Sequence, residues 1–216
     1  MRRLAATLAA SVVPCLVAVP LAVPASAAPA SSPLPVVVAA PAGPAAGVTV
    51  GAADRRRDVP SREQWLADVK TAMTGARAYV RERAAAATPD ERLAVNFDID
   101  NTVIATYYDG GGAIPQMTKF VKLLQRKDVA VLFNTGRSAD QRASTRAQLK
   151  RNGFPVDGLC LRGQGKTLVF GKQRCRDLFI SRGYTLIANV GNNDTDFAGD
   201  GYERAYRLPN YDGVLG

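Results

Sequence analysis

From Trp65 onward the chain moves between two hydrophobic rhythms. Trp65, Leu66, Val69, Ala72, Met73, Ala76 and Val80 recur at helical spacing behind a Ser61-Arg62-Glu63-Gln64 capping box. That pattern predicts one amphipathic helix, ending before Thr88-Pro89. Leu93, Val95, Phe97 and Ile99 then alternate as a strand does. Ile114-Pro115 opens a second helix, with Met117, Phe120, Val121 and Leu124 as its apolar positions and Lys127 near its end. Residues 129–133 are nearly all apolar, as a central parallel strand is when helices cover both faces. Ser138-Ala139-Asp140-Gln141 is another capping box, beginning a helix that ends near Asn152-Gly153. A strand over 159–161, a helix from about 173 to 182 closed by Gly183, and a strand over 184–190 complete the series. Strands alternating with helices of this length predict an α/β three-layer sandwich around a central parallel sheet, with an N-terminal helical extension.

Upstream the sequence changes character. Arg2 and Arg3 precede an uncharged stretch, residues 4–30, and Ala25, Ser26 and Ala27 supply the small residues of a cleavage site, so residues 1–27 read as a secretory signal peptide. About 20 apolar residues also suffice to span a bilayer. An uncleaved N-terminal membrane anchor is therefore the alternative, and Pro14, Pro20 and Pro24 count against it. Residues 28–57, rich in Ala and Pro, give little to pack and read as a disordered tail. Residues 58–216 are then one domain of a secreted, extracellular protein with no stable membrane span in its mature form.

Composition narrows the chemistry. The formal charge of +9 falls to +7 without Arg2 and Arg3, which favours anionic ligands. The basic residues are dispersed, with no Lys/Arg stripe interleaved with aromatics, so a nucleic acid polymer is not an expected partner. There is no histidine, which excludes histidine triads, phosphohistidine intermediates and histidine-ligated metals. Once the leader is removed Cys160 and Cys175 remain, and two arrangements stand open for them: a disulfide or two separate core thiols.

Polar residues cluster immediately after three strands: Asp98-Ile99-Asp100-Asn101-Thr102, Asn134-Thr135-Gly136-Arg137, and Gly191-Asn192-Asn193-Asp194-Thr195-Asp196. Ligands of open α/β sheets bind beyond the carboxyl ends of the strands, so these clusters should meet in space. In these motifs the chain resembles the haloacid dehalogenase-like (HAD-like) superfamily, specifically its secreted acid phosphatase branch, class B or subfamily IIIB. The run from Phe97 to Thr102 matches the first motif and Phe133 to Arg137 the second. Lys172, followed by Arg174 and Arg176, stands at the branch's conserved lysine. Gly191 to Asp196 is similar to the fourth motif, and Leu208-Pro209-Asn210 to the terminal one.

The resemblance implies a Mg²⁺-dependent phosphomonoesterase of broad specificity. Asp98 is its nucleophile, forming an aspartyl phosphate, and Asp100 supplies a backbone carbonyl to the metal and a side chain as general acid and base. Thr135 would hold phosphoryl oxygens and Lys172 would stabilise transition-state charge. Arg137 is either a phosphate contact or a solvated arginine. Asn192 departs from the branch, which commonly carries Asp there. The reading assigns Asn192 to the metal and Asp196 to Lys172 or a metal-bound water, and leaves Asp194 as a partial substitute ligand.

Lys166 competes for the cationic role, from a Gly163-Gln164-Gly165-Lys166-Thr167 segment read as a mobile loop with no helix directly after it. Between Thr102 and Val129 there is room for a helix and a flap with Tyr107 and Tyr108 but not for a large cap, so the site should be open to varied small phosphate monoesters, nucleotides or aryl phosphates among them. Those tyrosines either stack on such a group or pack on the N-terminal helices. The competing function is a catalytically weak protein of the same fold that binds phosphorylated ligands, cell-envelope polymers or another protein.

Overall fold

The structure, a computed structural model, describes residues 59–216, so the leader and tail read from residues 1–57 lie outside the described residues. The Ser61 hydroxyl accepts the Gln64 N–H at 3.2 Å and starts α1, Arg62–Ala72. The single helix expected over 65–80 is two. The chain turns at Gly75, whose φ of +80° suits a residue without Cβ, and resumes as α2, Ala76–Ala85.

After β1 (Arg92–Phe97) comes a small excursion: β2 (Ile104–Ala105), α3 (Thr106–Asp109) and β3 (Gly112–Ala113), with β2 and β3 antiparallel. Among the described residues this flap is the only excursion between β1 and α4. α4 (Pro115–Gln125), β4 (Ala130–Ser138) and α5 (Arg142–Arg151) follow, the capping box at Ser138 closing a 3-10 turn that leads into α5. Then come β5 (Gly158–Arg162), α6 (Leu168–Ser181), β6 (Tyr184–Gly191), α7 (Asp194–Phe197) and β7 (Arg204–Arg207).

Five strands form one sheet in the order β5-β4-β1-β6-β7, every neighbouring pair parallel. The edge strand β7 has no counterpart in the hydrophobic pattern, because only Tyr206 of its residues is buried and no periodic run results.

Alternate residues of the strands feed two cores. Val95, Phe97, Val131, Phe133, Leu159 and Leu161 join the core with Trp65, Val80, Phe120 and Leu149, on the side of α1, α2, α4 and α5. Ala94, Leu132, Cys160 and Leu186 face α6 through Cys175 and Phe179. The outcome is helices, sheet, helix, as the alternation implies. Cys160 of β5 and Cys175 of α6 are joined by a disulfide.

α6 begins earlier than its sequence suggests. The Thr167 hydroxyl accepts the Phe170 N–H at 3.2 Å and caps the helix, so the segment read as a loop without a following helix is a tight turn, with the Lys166 N–H on the Gly163 carbonyl at 3.3 Å. Among the described residues no helix is long and apolar enough to cross a membrane.

Candidate active site

β4, β1 and β6 are adjacent, and their carboxyl ends bring Thr135, Asp98 and Asn192 together. A cavity of about 240 Å³ opens there, lined by Asp98, Asp100, Thr135, Arg137, Lys172 and Asp196 among others. A larger cleft of about 630 Å³ lies at the opposite ends of the strands, against Arg92, Leu93, Ala130 and Tyr184. It holds none of these groups and sits on the side of a parallel sheet that seldom binds ligands.

The Asp98 N–H extends the sheet ladder by bonding the Val190 carbonyl at 2.9 Å, which fixes the side chain above β1. Lys172 enters from α6. Its ammonium donates to Asp98 Oδ1 at 2.5 Å and to the Asn134 carbonyl at 2.8 Å, and lies 2.6 Å from Asp196 Oδ1 as an ion pair. All three side chains are under 10% exposed. Burial pushes the Asp98 carboxyl up, to about 6, against the pull of the Lys172 ammonium and with a further push from Asp196. Burial disfavours the Lys172 ammonium, but the two carboxylates outweigh it and hold its pKa above the usual lysine value. Two carboxylates against one ammonium leave the buried cluster one negative charge in excess. Arg162 and the Asp100–Arg137 pair also line the cavity, so that excess belongs to the buried cluster and not to the whole lining.

Asp100 and Arg137 form a bidentate pair, Nε to Oδ2 at 2.8 Å and Nη2 to Oδ1 at 2.7 Å. Thr106 donates to the same carboxylate at 2.7 Å, while Arg137 also reaches Gln148 Oε1 at 2.7 Å and Thr145 Oγ1 at 3.3 Å. Burial pushes the Asp100 carboxyl up, but these donors prevail and hold it below the usual carboxylate range. Arg137 is therefore not the solvated arginine that was one of its two readings. Thr135 is buried, its hydroxyl accepting the Arg137 N–H at 3.2 Å.

Asn192 lies across from Asp98 with Thr102 between them: the Thr102 hydroxyl is 3.2 Å from Asp98 Oδ2 and 3.4 Å from Asn192 Oδ1. One hydroxyl proton cannot satisfy two acceptors at once, and Asn192 Oδ1 has a second donor in Asn193 Nδ2 at 3.4 Å. Asp196 Oδ2 accepts the N–H groups of Asn192 and Asn193 at 3.1 and 2.9 Å, completing the N-terminal cap of α7. The approach is so close that a Cβ on Gly191 would overlap the Asp196 carboxylate. Asp194 is not brought to the cavity: its side chain is fully exposed and pairs with Arg207 at 3.0 Å.

Among the described residues no group of three or more Asp, Glu, His or Cys side chains is arranged to hold a metal ion. The available donors are instead a carboxylate at Asp98, an amide oxygen at Asn192 and main-chain carbonyls. This all-oxygen set, beside a buried cluster with one negative charge in excess, fits a hard cation such as Mg²⁺ that retains waters.

Lys166 is exposed, over the ring of Phe170, and does not compete with Lys172. Tyr108 stacks on Trp65 of α1 and donates to the Pro60 carbonyl at 2.7 Å, whereas Tyr107 is half exposed.

Sequence reasoning missed the polar ladder beneath the site. Asn134 Nδ2 donates to the Lys172 carbonyl at 2.8 Å, Asn96 to Asn189 Oδ1 at 2.5 Å, and Asn189 to the Asp196 carbonyl at 2.8 Å. The available signal was asparagine inside otherwise apolar strands, at positions where a buried amide must find partners.

Comparison with known proteins agrees with this geometry. The family model for HAD superfamily, subfamily IIIB (acid phosphatase) matches residues 109–214, beginning beyond Asp98 and Asp100. The chain is similar to the stem 31 kDa glycoprotein of Glycine max, 27% identical over 71% of this chain and 70% of that one. It is similar also to the stem 28 kDa glycoprotein of Glycine max, 26% identical over 68% of each. Among solved structures, a class C acid phosphatase from Bacillus anthracis, also solved with tungstate bound, aligns with a TM-score of 0.58 and 19% identity, covering 69% of this chain and 79% of that one.

Proposed function

We propose that this chain, whose residues 109–214 match the family model for HAD superfamily, subfamily IIIB (acid phosphatase), and whose fold is that of an acid phosphatase, is a secreted, Mg²⁺-dependent phosphomonoesterase of broad specificity acting through an aspartyl phosphate on Asp98. The observation that carries the reading is the buried Asp98–Lys172–Asp196 cluster, opened toward the cavity beside the converging oxygens of Asp98 and Asn192.

The chemistry balances as two displacements. An oxygen of Asp98 forms a bond to phosphorus as the bond to the leaving oxygen breaks, and protonated Asp100 gives that oxygen its proton. Water then attacks phosphorus, Asp100 takes the water's proton, and the bond to Asp98 breaks to release phosphate. Lys172 holds Asp98 in place and offsets charge in both transition states, while Thr135 and its neighbouring N–H groups hold phosphoryl oxygens. Asp98, Asn192 and the Asp100 carbonyl would hold Mg²⁺, which supplies charge neutralisation for the phosphoryl group.

Asp100 can act as an acid only when its pair with Arg137 opens, and an entering phosphate offers Arg137 an equivalent bidentate partner. Tungstate bound to the Bacillus anthracis enzyme supports an oxyanion site of this kind here as well. The flap-sized cover argues for small phosphate monoesters with varied leaving groups. Export follows from reading residues 1–27 as a leader and 28–57 as a tail ahead of the catalytic domain.

Arg137 occupying Asp100 favours one other reading, a phospho-ligand or cell-envelope binding protein with little turnover. Phosphate release from an aryl phosphate, measured before and after chelation and Mg²⁺ repletion, separates the two. The expected result is a loss of roughly two orders of magnitude on chelation, regained with Mg²⁺. An unchanged rate would reject the metal, and saturable binding of the ester with no turnover at any Mg²⁺ concentration would favour the binding protein.

A further inference from the structure

Asn192 has a second neighbour whose chemistry explains the residue found there. The carbonyl oxygen of Leu215 accepts the Asn192 Nδ2 at 3.2 Å and the Asn101 Nδ2 at 2.5 Å. It thus bridges the segment after β1 and the segment after β6 on the side of Asn192 away from Thr102. The turn that carries it is built in: the Leu215 side chain is 1% exposed, its N–H bonds the Asn210 carbonyl at 3.2 Å, and Asn210 Nδ2 donates to Asn193 Oδ1 at 2.9 Å. Asn101, left-handed at φ 52°, is fixed in turn by accepting the Tyr107 N–H at 2.8 Å.

A carbonyl oxygen accepts and cannot donate, so the atom of residue 192 facing it must be a donor. An amide meets that demand and necessarily turns its oxygen the other way, toward Thr102 and Asp98. A carboxylate there would set acceptor against acceptor at 3.2 Å, beside Asp98 and Asp196 with one ammonium among three carboxylates.

We propose that the Leu215 carbonyl is a positioning group that selects asparagine over aspartate at position 192 and aims Asn192 Oδ1 at the oxygens where the cation would be held. The cation part of this inference rests on the functional reading above; the selection of the amide does not. The single charge lost at Asn192 is thereby matched by a fixed orientation of the remaining donor, set from the C-terminal turn.

The test is a cycle of N192D, L215G and the double variant, melted in metal-free buffer. N192D should lower Tm by roughly 4–10 °C in the full chain. In L215G, where the turn has lost its buried anchor and the carbonyl its fixed place, the same substitution should cost less than half as much. Additive losses would overturn the proposal. Should L215G fail to fold, hydrogen exchange of the Asn192 side-chain amide in the unaltered chain decides: slowing of about tenfold or more relative to a free amide supports the bond, and exchange at the free rate contradicts it.

In a parallel arm, the Mg²⁺ concentration that half-saturates the rise in Tm should increase about tenfold in L215G; no increase would overturn the aiming role. Absence of any Mg²⁺ effect on the unaltered chain would instead reject the metal reading, leaving the metal-free cycle to stand alone.

Discussion

Arg137 commits the Nε–Nη2 edge of its guanidinium group to one carboxylate, and that commitment sets the resting state of Asp100. In R137Q the Asp100 carboxyl loses the donors that hold it down, so its proton persists to higher pH. The alkaline limb of the rate profile should therefore move upward, with KM rising about tenfold as the phosphate loses its planar partner. Stability adds a check of sign. Asp100 has a depressed folded-state pKa, so its contribution is present above the usual value of 3.8 and is lost as the pH falls through the folded value. R137Q should melt about 3 °C lower at neutral pH, corresponding to about 1 kcal/mol for a pair still 36% exposed at the carboxylate, and the gap should close in acid. Unchanged KM, pH limb and Tm would show that Arg137 neither holds Asp100 nor meets the phosphate. The identity of Asp98, Asp100 and Lys172 as candidates was legible because charge interrupts apolar runs where strands end. The Asp100–Arg137 and Asn192–Leu215 pairs were not, because they join residues far apart in sequence whose separate contexts carry no mark of each other.

Among the elements, α6 carries the most. Its successive turns present Lys172 to the carboxylates, Cys175 to β5, and Arg176 to the carbonyls of Asp196, Ala198 and Asp200. Asp196 is consequently held at both ends by one helix, its side chain by Lys172 and its carbonyl by Arg176. The disulfide closes a loop of sequence separation 15 and pins this helix to the sheet. Replacing both cysteines in C160A/C175A should remove about 3 kcal/mol of stability and lower Tm by roughly 6–12 °C, and turnover should fall as Lys172 loses its fixed approach. A variant with unaltered Tm and rate would show that packing of Phe179 and its neighbours already holds the helix. Strong periodicity made α4, β4 and β6 readable. The division of α1 from α2 hung on one left-handed glycine, the start of α6 on a Thr167 cap ahead of exposed apolar residues, and β7 on a single buried side chain, none of which produces a periodic signal.

At the scale of the whole molecule, an all-parallel sheet with adjacent central strands gathers groups from residues 98 to 196 at one rim, while helices cover its two faces. The fold class was readable because strands and helices alternate, and the place of the site because polar clusters follow three strands that prove to be neighbours. What the linear sequence could not supply was the gathering of Asp98, Asp196 and Lys172 into one buried cluster with one negative charge in excess. The most direct measurement is mass analysis of the Asp98-containing peptide after acid quench during turnover of an aryl phosphate with Mg²⁺, run beside D98N. A phosphoryl group is expected on Asp98, absent from a folded D98N protein whose turnover has dropped by about a thousandfold or more. Wild-type turnover in D98N, with no phosphoryl adduct on Asp98 in the parent, would contradict a covalent route through Asp98.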